Sequence, residues 1–495
     1  MNGVQILLIV GAGIAITAVA RRRGVEPGLI VVVLAAAASF LPWMPKLELD
    51  SELILAIVVP PLLYSAARVA AFTGFGANLR PIVHLGVVLV VLTTFALGFV
   101  ASWALPSLGG VAFVLGAVLA PPDTITTVTH GERIGLPGRV RSILIGESLV
   151  NDATALTLFS ITLLAVDGGH ATIAGGITQF AYKLTVGVLV GGAFAAATLA
   201  VRKRLGNTTL ETTLVLLLPF TVYLAAEEVH ASGIIAVVVA SFTVTANMTL
   251  DPAHRYPGAH LTRIQEKSVW AVVDFLLETF VFAYIGLRLR FVLAEQEDLA
   301  AVLLASGVLL VAAIALRLVG VYALFGRWAL SLRLAGRSPR KRERARRREA
   351  RTSGRRRRRP RLGAPTAKEN LLVGWTGMRG ILTLAAASAV PESVPGRDAV
   401  QAVALLVTLG TLLIQAPTIG PLARALDFDV REERAATGRM RERAEALVRR
   451  HEGFDAQRQA LGAAVRDGDL DEELARDLIE EIDVRQAAAE PGPRH

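Results

Sequence analysis

Four polar side chains share one face of an otherwise apolar stretch. In Gly146-Glu147-Ser148-Leu149-Val150-Asn151-Asp152, a helix turning 100° per residue puts Glu147, Ser148, Asn151 and Asp152 within an arc of about 140°. Glu147 then stacks above Asn151, and Ser148 above Asp152. Carboxylate and hydroxyl oxygens are hard ligands, suited to an alkali cation rather than to a soft metal. A polar network that only holds helices together would use the same residue types. A second carboxylate stands in Leu119-Ala120-Pro121-Pro122-Asp123-Thr124. Consecutive prolines remove two backbone donors and clash with the preceding turn, so the helix should unwind where Asp123 and Thr124 offer oxygens. Broken helices of this kind present carbonyls and helix ends to a cation, although a simple proline kink capped by Asp123 fits the same residues.

A charge at mid-membrane costs about 2.5–3.5 kcal/mol on the insertion scale, so each one needs a partner or a task. Arg317 sits in Ala315-Leu316-Arg317-Leu318-Val319 and Arg379 in Gly374-Trp375-Thr376-Gly377-Met378-Arg379-Gly380. Both are always protonated and must find a carboxylate or carbonyls. Arg317 is expected to neutralise Glu147, which leaves Asp152 as the unpaired, titratable group. The glycines around Arg379 mark a second interrupted span. Glu278, in Phe275-Leu276-Leu277-Glu278-Thr279-Phe280, belongs either to a structural pair, with Arg379 as partner, or to the ion path.

These residues require a membrane around them. Of 495 residues, 53% are hydrophobic and only 19% charged, and the mean hydropathy is +0.51. That is too apolar for a water-soluble enzyme. Disordered and disulfide-rich secreted classes fail too, since the chain has no cysteine. The sequence predicts an all-α polytopic membrane protein of about thirteen transmembrane helices, near 3–20, 28–44, 52–70, 82–104, 109–129, 139–166, 172–201, 209–226, 231–248, 268–287, 297–325, 369–391 and 398–424. The first run lacks a small-residue cleavage site and reads as a span. The two interruptions are seven spans apart, an odd offset that reverses direction, so the chain can hold two inverted repeats whose discontinuous helices cross near the midplane.

Charge placement orients the chain. Arg21 to Arg23, Arg68, Arg80, Arg133, Arg139, Arg141, Arg202 to Arg204, Arg255, Arg263 and Lys267 alternate with loops that hold only Lys46, Arg288, Arg290 and Arg397. The basic set should face the cytoplasm, with the N-terminus outside. From Arg327 to Arg361 there are 17 Lys or Arg against Glu343 and Glu349, which accounts for more than the whole formal charge of +10. This basic cytoplasmic loop, 327–365, suits anionic lipid, and without aromatic interleaving it gives no sign of nucleic-acid binding. The domain reading is a transmembrane unit over 1–426 and a cytoplasmic helical tail over 427–495, whose apolar positions recur at helical spacing.

Gly146-Glu147-Ser148-Leu149-Val150-Asn151-Asp152-Ala153, with Ala120-Pro121-Pro122-Asp123 before it and Gly377-Met378-Arg379-Gly380 after it, resembles the monovalent cation/proton antiporter family of bacterial and animal sodium/proton exchangers. The resemblance runs over about residues 3–425. It implies the sodium/proton antiporter fold and a homodimer. It also implies that Asp152 exchanges a proton for a cation, with Ser148 among the cation ligands and Glu147 and Asn151 supporting the site, and that Arg317 pairs with Glu147. One departure stands out. The family's broken helix usually reads threonine-aspartate-proline, whereas Pro122-Asp123-Thr124 moves the proline ahead and drops the preceding threonine. Thr124 or backbone carbonyls would then have to substitute.

The function expected from these residues is secondary transport of Na+ against H+ across the plasma membrane, for pH and sodium homeostasis. Na+ would be held at Asp152, Ser148 and Asp123. One titratable carboxylate beside Asn151 suggests electroneutral, one-for-one exchange. A potassium/proton antiporter of the same fold is the near alternative. A cation channel lacks a repeated carbonyl filter, and an intramembrane enzyme lacks a nucleophile–base pair, since the histidines lie in loops, the tail or at span ends. No cofactor is expected.

Overall fold

The computed structural model describes residues 3–22, 27–42, 44, 54–69, 74, 76, 78–123, 136–166, 173–250, 259–337, 365–428 and 431–490. Its helices follow the apolar runs: α1 Gly3–Arg22, α2 Pro27–Ser39, α3 Val59–Val69 (entered through the π-turn Ile54–Val58), α4 Leu79–Ala104 and α5 Val111–Leu119. Next come α6 Gly138–Val166, α7 Ile173–Leu205, α8 Thr208–Glu228, α9 Gly233–Leu250 and α10 Ala259–Leu287. The set closes with α11 Leu299–Arg337, the half-helices α12 Ala367–Trp375 and α13 Ile381–Ser388, and α14 Arg397–Leu426. Among the described residues, seven helices are long and apolar enough to cross a membrane by themselves. The outer surface exposes Leu7, Phe99, Trp103, Leu304 and Val311, side chains that lipid solvates and water does not.

Both interruptions form where the residues dictate. Helix α5 stops at Leu119, and Ala120 to Asp123 are non-helical, since the two prolines offer no N–H to a preceding turn. Thr366 opens α12 with a capping box: its hydroxyl accepts from the Glu369 N–H at 3.2 Å while the Glu369 carboxylate accepts from the Thr366 N–H at 2.6 Å. Five residues, Thr376 to Gly380, then run non-helically before α13.

Helices α4, α5, α6 and α11 to α14 pack on one another, and so do α1 to α3 with α7 to α10. The two groups meet where α6 touches α3, α7 and α9 and where α14 touches α2 and α10. Part of that boundary is an apolar seam of Ile145 and Leu149 from α6, Ala66 and Ala67 from α3, and Val238 and Phe242 from α9.

Some helices overrun the spans drawn from hydropathy. Arg202 to Arg204, Arg263 and Lys267, read as loop charges, sit on the ends of α7 and α10, beyond the spans drawn, while Arg139 and Arg141 sit at the start of α6. A helix satisfies its own backbone and can continue past the apolar zone wherever its polar end finds partners. Arg202 is fully buried and contacts Glu211 at 3.4 Å and Glu266 at 2.8 Å, tying the ends of α7, α8 and α10 together. Further partners come from the tail, α15 Arg431–Arg449, α16 Phe454–Asp467 and α17 Glu472–Ala489, which share a core of Leu461, Val465, Leu474, Leu478 and Ile482. Asp483 of α17, 2% exposed, accepts from Arg263 Nε and Nη2 at 2.6 Å each and from Arg458 Nε at 2.9 Å. Glu480 pairs with Lys267, Glu473 with Arg141, and Arg476 donates to the Arg68 and Val69 carbonyls. The ends of α3, α6 and α10 that charge assigned to one side thus do lie on one face, under the tail.

Candidate ion-exchange site

Helix α6 carries its polar face inward. Glu147 and Asn151 are fully buried, Ser148 is 2% exposed and Asp152 9%, as the 140° arc requires of residues that cannot face lipid. Glu147 is clamped by Arg317 of α11, whose Nη1 donates to Oε1 at 2.5 Å and Nη2 to Oε2 at 3.0 Å. This fork-to-fork pair satisfies both carboxylate oxygens and cancels the charge, as expected from the residue types alone. Gly377 makes room for it, since a Cβ there would collide with the Arg317 side chain.

The two interruptions cross directly. The Asp123 N–H donates to the Met378 carbonyl at 2.6 Å, and Arg379 Nε donates to the Leu119 carbonyl at 2.9 Å. Arg379 Nη1 donates to the Gly377 carbonyl. The buried guanidinium thus serves carbonyls freed by the breaks in α5 and between α12 and α13, the second of the two options open to an arginine at that depth. Asn151 Nδ2 donates to the Pro122 carbonyl at 2.7 Å and ties α6 to the same break. Asn151 Oδ1 is buried without a partner among the described residues. Helix α14 braces the second break: Thr411 Oγ1 accepts from the Arg379 N–H at 3.0 Å, and Gln415 Nε2 donates to the Trp375 carbonyl at 2.8 Å. The approach is close at Gly380, where a Cβ would enter the Asp123 carboxylate.

Beside this crossing lies a cavity of about 70 Å³ whose wall includes Asp123, Asp152, Glu278, Arg379 and Gly380. Glu278, Val281, Phe282 and Ile285 line it as a stripe along α10, running from Glu278 away from the tail face. The seam around Leu149 lies on the tail side of Asp152. Glu278 therefore borders the cavity.

The family pattern of the transmembrane sodium/hydrogen exchanger matches residues 6–425. The chain belongs to the sodium/hydrogen exchanger family. Among relatives, this exchanger is 27% identical over 442 residues to the Na+/H+ antiporter NhaH of Halobacillus dabanensis, covering 86% of this chain and 97% of that one. It is 26% identical over 422 residues to a sodium, potassium, lithium and rubidium/H+ antiporter of Bacillus pumilus, covering 81% of this chain and 58% of the other. The solved sodium proton antiporter MjNhaP1 from Methanocaldococcus jannaschii superposes with a TM-score of 0.61 at 16% identity, over 85% of this chain and 97% of that structure. The superposition establishes the all-helical fold of this exchanger.

Of the residues singled out by sequence, the structure gathers Asp152, Asp123, Glu278 and Arg379 around one cavity in this exchanger, with Glu147, Arg317 and Asn151 directly behind. Ser148 is buried on the same face one turn earlier and does not border the cavity. Thr124 and the basic stretch 338–364 lie outside the described residues. Sequence reading missed Thr411 and Gln415, although a polar pair four residues apart in an apolar helix is a signal of buried hydrogen bonding.

Proposed function

We propose that this exchanger moves Na+ in one direction and a proton in the other through competition for Asp152, with K+ as the alternative cargo. Deprotonated, Asp152 holds the cation together with Asp123 and neighbouring oxygens; protonated, it is neutral and releases it. The observation that carries this reading is the position of Asp152 on the cavity at the crossing of two broken helices, while Glu147 behind it is already neutralised by Arg317. Asn151 Oδ1, buried without a partner among the described residues, adds an oxygen behind the cavity wall, and Thr124 is a further oxygen donor in the proposed set, while Ser148, away from the cavity, is not among them. Glu278 draws cations into the cavity. The Bacillus pumilus relative, named for sodium, potassium, lithium and rubidium, supports keeping K+ as cargo.

In this reading the bundle of α4 to α6 and α11 to α14 carries the site past the remaining helices, and exchange is electroneutral because one carboxylate titrates. The transmembrane unit is 1–426, with thirteen crossings, and 427–495 is a cytoplasmic tail. The protein sits in the plasma membrane with its N-terminus outside and works as a homodimer. Proton movement in everted vesicles on adding Na+, Li+ or K+ tests the core of the proposal. Wild type should release protons from acidified vesicles and Asp152→Asn should not. The apparent KM for the cation should rise about tenfold per unit of acidification once Asp152 is mostly protonated. Exchange that persists in Asp152→Asn, or a KM indifferent to pH, refutes the mechanism.

A further inference from the structure

One residue on the cavity wall carries a buried polar atom with no partner among the described residues. Thr383, on the first turn of α13, is fully buried; its Oγ1 makes no hydrogen bond, and the residue borders the cavity together with Asp152 and Asp123. A hydroxyl taken out of water without a compensating bond is destabilising, and helical threonines normally avoid this by bonding the carbonyl four residues back. Thr154 does so with Val150 at 2.9 Å and Thr157 with Ala153 at 2.8 Å; Thr94, Thr212 and Thr408 are also buried without a partner among the described residues but do not border the cavity. For Thr383 that carbonyl belongs to Arg379, in the non-helical segment that precedes the half-helix. Its place at the start of α13 therefore leaves the hydroxyl without its usual acceptor, on a residue that borders a cavity lined by carboxylates. Across the cavity, α5 ends in Ala120-Pro121-Pro122 and supplies no hydroxyl ahead of Asp123.

We propose that Thr383 Oγ1 is a ligand of the transported cation, completing an oxygen set with Asp152 and Asp123, and that it helps set which monovalent cation is preferred. The inference rests on the exchange reading above. A hydroxyl is a neutral, hard donor that replaces one water of the cation's hydration shell. Because it does not titrate, it adds cation affinity and size discrimination while leaving the proton half of the exchange to Asp152.

The test uses the full chain in proteoliposomes, with proton flux followed against Na+, Li+ and K+ concentration for wild type, Thr383→Val and Thr383→Ser. Valine keeps the volume and removes the oxygen. It should raise the apparent KM for the preferred cation about tenfold, the worth of one hydrogen-bond-strength contact. It should also narrow the spread among the three cations, with an unchanged pH midpoint at saturating cation. Serine keeps the oxygen and should hold close to wild-type KM. A valine variant with wild-type KM and cation order overturns the proposal, and so does a serine variant that behaves like valine. If valine does not yield folded protein, Thr383→Ala is compared with Thr383→Ser for thermal stabilisation by the preferred cation. Loss in alanine with retention in serine supports the ligand role, and equal stabilisation overturns it. Wild type without cation-dependent flux, or Asp152→Asn with it, would instead defeat the exchange reading, whatever Thr383 does.

Discussion

Removing Arg317 exposes the energetics of the site most sharply. Its guanidinium holds both oxygens of a fully buried carboxylate, at 2.5 and 3.0 Å. In Arg317→Met the Glu147 carboxylate loses its hydrogen-bonded counter-charge, with only Arg379 left nearby among the described residues, and folds in most cheaply by taking up a proton. For an ordinary glutamate that costs about 4 kcal/mol at pH 7 and about 1 kcal/mol at pH 5, from a reference pKa near 4.3 and 1.36 kcal/mol per unit. The first figure matches the roughly 3–5 kcal/mol typical of breaking a buried pair, a large share of a total stability of about 5–15 kcal/mol. The reverse variant, Glu147→Gln, strands an arginine that cannot shed its charge, so acid gives it no relief. Three outcomes follow for the yield and thermal midpoint of detergent-purified protein. Arg317→Met is strongly destabilised at pH 7 and largely recovers towards pH 5; Glu147→Gln stays destabilised at both; and Arg317→Met combined with Glu147→Gln is more stable than Glu147→Gln alone. An Arg317→Met protein as stable as wild type at pH 7, or one that acid does not rescue, would refute the pairing as a source of stability.

Gly380→Ala would push a methyl into the Asp123 carboxylate and should lower exchange at least about tenfold, in line with misplacement of reacting groups, while leaving the protein folded by size-exclusion profile; wild-type flux would show that the close approach is dispensable. Asp483→Ala leaves Arg263 and the buried Arg458 without their shared carboxylate, a loss of about 3 kcal/mol by analogy with other broken buried pairs. Limited proteolysis should then cleave within 431–490 earlier than in wild type, and an unchanged digestion pattern would count against docking through Asp483.

Much of the site is legible in the residues because a membrane penalises polar groups so heavily. In lipid, Glu147, Ser148, Asn151 and Asp152 have no alternative to facing inward, and the 100° turn of a helix alone places them on one face. The same penalty makes Arg317 require a carboxylate, and Pro121-Pro122 make a break in α5 unavoidable. The continuation of α7 and α10 past their apolar stretches escaped notice for the opposite reason. Arg202, Arg263 and Lys267 look like loop charges until Glu211, Glu266 and the tail residues Glu480 and Asp483 are brought beside them.

Periodicity and charge thus determined by themselves that the chain is a helical membrane protein, where its helices break and that Arg317 needs a carboxylate partner, since these follow from distances along one chain and from solvation. Tertiary structure alone decided that Arg379 serves the Leu119 and Gly377 carbonyls, that Glu278 shares a cavity with Asp152, and that Thr383 borders it with no acceptor for its hydroxyl among the described residues. Those relations join residues up to 260 positions apart. They depend on how two interrupted helices cross, and no local pattern records that crossing.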